Sequence, residues 1–180
     1  MINAEVIQKI AEALGTISVF ALGGICCAIG SGVTATVLTL RAFWPNMSEK
    51  LDLVALGYSW RKRFLMGLIN GPAIFILAAI ALNIPVLKLA GLGLLLFLVM
   101  LILLGLTAEF TMIGRRVLAM RNQPSTPFAQ TITGGIIFTL MFLIPFLGQG
   151  IFLAILLKSV GTTIYWLFKQ RNFTPPSTKE

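Results

Sequence analysis

The chain has 180 residues, of which 57% are hydrophobic and only 11% charged, with a mean hydropathy of +0.94. No soluble core of this length absorbs so much apolar surface, so the composition excludes a water-soluble globular fold and predicts an all-α integral membrane bundle of one domain spanning residues 1–180. A formal charge of +8 would suggest nucleic acid in a soluble protein, but here the basic residues gather beside the apolar runs, where they set topology, so no nucleic-acid partner is expected.

In chain order, Met1 to Leu14 carries Glu5, Lys9 and Glu12 among Ile2, Val6, Ile7, Ile10 and Leu14 at helical spacing. This predicts a short amphipathic leader along the interface rather than a cleaved signal peptide. A first span follows at about 15–40. It carries a small-residue ridge, Gly24, Ala28 and Gly32, and a second, Gly23, Cys27, Ser31 and Ala35, each suited to close helix packing. A neighbouring span of the same chain is the default partner for that packing. Cys26 and Cys27 are adjacent, about 100° apart on a helix, with no third ligand near, so they are packing residues and no metal site is expected.

Residues 41–63 form the one sizeable connection. Asn46 and Glu49 fit a reciprocal cap for a short helix with Leu51, Val54, Ala55 and Tyr58 on one face, ending near Gly57 and lying on the cytoplasmic surface. Arg61, Lys62 and Arg63 at its end are candidates for contact with anionic lipid. Spans two and three are predicted at about 64–82 and 86–113, separated by Asn83-Ile84-Pro85, with a kink at Asn70-Gly71-Pro72. From Pro127 to Phe168 the chain is too long for one crossing, and Leu143-Ile144-Pro145-Phe146-Leu147-Gly148 breaks it into spans at about 127–147 and 149–168. Thr126 before Pro127 is a fitting start for the fourth.

Five spans place Arg41, Lys50, Arg61, Lys62, Arg63, Arg115, Arg116, Arg121, Lys169, Arg171 and Lys179 on one side, which makes that side cytoplasmic, with the N-terminus outside and the C-terminus inside. Trp44, Tyr58, Trp60, Tyr165 and Trp166 fall at the same ends of the spans, where amphipathic rings settle at headgroup level. The intervals from Phe64 to Gly71 and from Phe128 to Gly135 match, and both units run on to Ile-Pro, so the two hairpins read as a parallel internal repeat.

Glu109 and Lys158 are ionisable groups inside apolar spans, where a charge costs about 2.5–3.5 kcal/mol to insert at the helix centre. The long lysine stem reaches the carboxylate, which predicts an ion pair fixing span three against span five. Independent snorkelling to the headgroups is the alternative. The chain has no histidine, and no nucleophile constellation or acid-base pair points to an enzyme or to a cofactor.

Arg41-Ala42-Phe43-Trp44-Pro45, Gly67 and Gly71, Asn83-Ile84-Pro85, Gly105-Leu106-Thr107-Ala108-Glu109-Phe110-Thr111-Met112-Ile113-Gly114-Arg115-Arg116, and Leu143-Ile144-Pro145-Phe146-Leu147-Gly148 together resemble a known kind of bacterial region. It is the polytopic membrane region that accompanies bactofilin-type polymer-forming domains. The resemblance covers about residues 15–168 and implies a multi-pass bundle of the bacterial cytoplasmic membrane that anchors or accompanies something else. The β-helical polymerising domain has no counterpart in these 180 residues. The expected role is a non-enzymatic scaffold, anchor or accessory subunit in contact with the bilayer and with a membrane-protein partner or further copies of itself. A small channel or transporter with a site near Glu109 and Lys158 is the alternative.

Overall fold

The structure, a computed structural model, describes residues 4–121, 125–142, 144 and 147–169. Among them are six α-helices: α1 (Ala4–Phe43), α2 (Pro45–Gly57), α3 (Trp60–Asn83), α4 (Lys88–Met120), α5 (Pro127–Phe142) and α6 (Leu147–Lys169), with a 3₁₀ turn at Pro85–Leu87. Four stretches are long and apolar enough to cross a membrane: Gly23–Phe43, Trp60–Asn83, Pro85–Met120 and Gly148–Phe168. The fifth, α5, is equally apolar but shorter. The protein is therefore a membrane-embedded, all-α bundle. Its lipid-compatible surface is plain on α3, where Leu65, Ile69, Ile76 and Ile80 are each more than half exposed.

Local chemistry accounts for the boundaries. Pro85 ends α3 by denying the next turn a donor, and the chain turns back through three 3₁₀ residues. Thr126 caps α5: its Oγ1 accepts the Ala129 N–H at 3.2 Å, and Pro127 takes the first helical position, where no N–H is needed. The break between α5 and α6 lies mostly outside the described residues.

Three expectations are corrected. The leader is no separate helix, because α1 runs unbroken from Ala4 to Phe43. No capping box opens α2. The helix starts at Pro45, whose fixed φ suits the first position, and Trp44 stands at the cap without a side-chain bond. Nor does α2 lie flat on the surface. Leu51 and Ala55 are buried against Ala108 of α4, with Leu104, Met112 and Trp166 around them, so α2 is set into one end of the bundle.

The hairpins α3–α4 and α5–α6 pack crosswise, α3 on α6 and α4 on α5, and the two crossings are built alike. In the first, a Cβ added to Gly67 would overlap the Leu157 carbonyl oxygen, and one on Gly161 would overlap that of Arg63. In the second, Gly134 faces the Phe110 carbonyl and Gly114 that of Gln130 in the same way. Arg63 and Gln130 are 67 positions apart, as are Gly67 and Gly134; Phe110 and Leu157 are 47 apart, as are Gly114 and Gly161. Contact for contact, one hairpin exchanges for the other as in a pseudo-twofold repeat. The register differs from the one implied by matching Phe64 with Phe128. Phenylalanines on apolar helices recur at many offsets, whereas backbone-to-backbone contact admits only glycine.

Among the described residues, helix α1 covers only the second crossing. Gly30 abuts Thr139 and Gly135 abuts Thr34, while Val37 closes a cluster with Leu106, Phe110 and Phe138. The ridge proposed for packing does not make this contact. Gly24, Ala28 and Gly32 are exposed, with open space around both glycines, because α1 docks through the opposite face. Cys26 is half-buried and Cys27 exposed.

Candidate functional site

Two ionic clusters lie toward the α2 end of the bundle, where Arg41 stands in the last turn of α1 and Arg63 in the first turn of α3. The first is built on the buried small-residue face of α3, Arg63-Gly67-Gly71-Ala78-Ala81, which lets α6 come so close that the Arg63 side chain is sealed in, 1% exposed. Its Nη1 donates to Glu109 Oε1 at 2.7 Å and to Thr162 Oγ1 at 3.3 Å, and Nη2 reaches Met112 Sδ at 3.7 Å. Lys158 Nζ approaches the other carboxylate oxygen, Oε2, at 2.5 Å. Thr162 Oγ1 lies 3.2 Å from Oε1 and donates back to the Lys158 carbonyl. One carboxylate thus ties α4 to α3 and α6 together, leaving a formal excess of one positive charge.

The structure brings Glu109 and Lys158 together and adds Arg63, which the sequence had placed among the lipid contacts. That assignment is corrected for Arg63 alone: three consecutive residues at a helix start point 100° apart, and the third turns into the bundle. Arg61 and Lys62 are exposed. Snorkelling does not describe Glu109, which is 1% exposed and paired with both Arg63 and Lys158.

The second cluster joins α1, α2, α4 and α5. Arg41 Nη2 donates to Asp52 Oδ2 at 2.7 Å, while Nη1 donates to Thr111 Oγ1 and, at 3.2 Å, to Thr131 Oγ1. Thr111 and Thr131 also bond their own helices, through the Thr107 and Pro127 carbonyls. Burial pushes the Asp52 carboxyl above its ordinary 3.8, against the opposing pull of Arg41. The sequence marked Arg41 for topology and not for a site, and Asp52 not at all, although Arg41 continues the Gly30-Thr34-Val37 face of α1 by one turn.

Beside Asp52 lies a cavity of about 250 Å³, walled by Glu49, Thr111, Arg115 and Gln130 together with apolar side chains of α2 and α4. A second hollow, about 280 Å³, lies against Gly71 and Pro72 and is walled by apolar side chains of α3, α4 and α6. Asn70 turns from it to donate to the Met66 carbonyl of its own helix at 2.8 Å. No protein-family model, curated protein or solved structure matches this chain.

What these clusters can do is hold helices. Arg41, Arg63, Glu109 and Lys158 are each bonded across to another helix, and a charge-assisted bond in a water-poor interior is far stronger than one at a surface. Tyr58 and Tyr165 lie tilted together at 4.5 Å between centroids, adding an aromatic contact where α6 passes the end of α2.

Proposed function

We propose that the protein is a non-enzymatic scaffold, anchor or accessory subunit of a larger assembly in the bacterial cytoplasmic membrane, in keeping with its resemblance to the membrane regions that accompany bactofilin-type proteins. One observation carries this reading. Glu109, Arg63 and Lys158 spend their charges on one another and on Thr162, in a knot joining three helices, so the most expensive residues in the bilayer are used for architecture. The positive-inside distribution supports a cytoplasmic setting for α2 and both clusters.

A small channel or transporter is the second reading, favoured by the pseudo-twofold hairpins, since parallel repeats recur in transporters. Extraction of the tagged protein from its native membrane in mild detergent, followed by mass determination and peptide identification, separates the two. A stoichiometric partner supports the accessory subunit. A lone monomer or symmetric homo-oligomer that passes ions or small solutes in liposomes, with flux altered by Glu109→Gln, overturns it.

A further inference from the structure

The contact-for-contact exchange of the two hairpins has a vacancy in it. On the second crossing, α1 lies across Thr131, Gly135 and Thr139 of α5 and across Phe110 and Thr111 of α4. By the 67- and 47-residue offsets, the equivalent positions on the first crossing are Phe64, Leu68 and Pro72 of α3 and Leu157 and Lys158 of α6. No helix of this chain covers them among the described residues: Leu68 is 44% exposed, and Leu153, the equivalent of Leu106 beneath Val37, is 57% exposed. The apolar hollow of about 280 Å³ opens there.

We infer that this groove seats one transmembrane helix of a partner protein, lying as α1 lies on the opposite crossing, with a carboxylate one turn inside its cytoplasmic end. The groove supplies the apolar bed, and the charge follows from the same equivalence. Arg41 of α1 meets Thr111, whose counterpart is Lys158. A helix placed like α1 therefore brings its Arg41 position to Lys158, in a cluster with two cations against one carboxylate. An acid neutralises the excess, and the Lys158 ammonium, with three donors, spends one on Glu109. A second copy does not meet the requirement, since among the described residues the acid buried in a span, Glu109, is already paired. The inference rests on the accessory-subunit reading and names the partner's chemistry.

The test is photo-crosslinking in native membranes, with a benzoylphenylalanine placed in the full chain at Leu68, at Leu153, or at the outward-facing control Ile69, and the adduct peptide read by mass spectrometry. Expected are adducts from Leu68 and Leu153 to the same apolar segment of another protein, containing Asp or Glu, with Ile69 at background. Lys158→Gln should lower the Leu68 adduct about tenfold, the worth of one interhelical polar bond. Because that variant also disturbs the triad, Leu153→Trp, which fills the groove and leaves the triad intact, should lower it equally. Changing the partner's acid to Lys and Lys158 to Glu should restore it. Adducts with lipid alone, with a second copy of this chain, or with a helix lacking an acid overturn the inference, as does equal labelling from Ile69. A stoichiometric partner in detergent whose adducts map elsewhere removes the groove but leaves the accessory-subunit reading standing, whereas no partner in either experiment removes both.

Discussion

The two ionic clusters sit at the same depth, yet they differ in how completely they are closed. Around Glu109, three helices meet and the side chains of Arg63 and Glu109 are each 1% exposed; around Asp52, the pair is reached from the bundle rim, with Arg41 at 11% and Asp52 at 18%. The difference follows from which elements supply the groups. Glu109 is held by spans that glycine contacts press together, whereas Asp52 comes from the short α2, laid into the end of the bundle. The first cluster is a structural knot and the second a latch.

The sharpest way to break that contrast is Glu109→Gln. It leaves Arg63 and Lys158 facing each other without a counter-ion and should cost about 3–5 kcal/mol, read as a fall in unfolding free energy in mixed micelles. A cost as small as that of Asp52→Asn would abolish the distinction. Next come the glycine crossings beside each cluster. Gly67→Ala and Gly134→Ala each thrust a methyl group into a facing carbonyl and should cost about 1–3 kcal/mol, while Gly24→Ala, with open space around it, should leave the thermal midpoint unchanged. Arg41→Gln should be milder, about 1–2 kcal/mol, because water reaches the carboxylate it leaves behind.

The smallest effect sharpens the comparison through pH. Since the folded state holds the Asp52 proton more tightly than the unfolded chain does, Asp52 adds stability fully below 3.8 and loses it as pH rises through its raised value. Asp52→Asn should therefore change stability little at neutral pH and remove this acid-side gain. Thermal midpoints of the two proteins across the acid range should draw apart as pH falls, with the native protein gaining.

Much of this was legible in the sequence. The all-α membrane fold followed from composition, the break between α3 and α4 from Ile84-Pro85, and the start of α5 from Thr126-Pro127. Glu109 and Lys158 stood out because a charge amid leucines has few ways to be satisfied. Arg63 was hidden by its neighbours: in Arg61-Lys62-Arg63, charge alone does not tell which residue turns inward. A signal did exist, since Gly67 and Gly71 continue its helical face, and a small-residue ridge ending in arginine marks the arginine as buried. The docked face of α1 was obscured for the converse reason. Gly24, Ala28 and Gly32 form as good a ridge as any, and local spacing does not say which ridge meets a neighbour. The burial of α2 was hidden too, because amphipathic spacing gives the apolar face without saying whether lipid or protein covers it.

The order of the triad along the chain bears on how the protein is made. Arg63 and Glu109 belong to consecutive helices joined by a tight turn, so the α3–α4 hairpin brings its buried carboxylate into the bilayer together with a counter-ion. Lys158 emerges from the ribosome nearly fifty residues after Glu109. The free carboxylate oxygen is already in place to draw the last helix in, which makes the final step of assembly the capture of a cation rather than the burial of one.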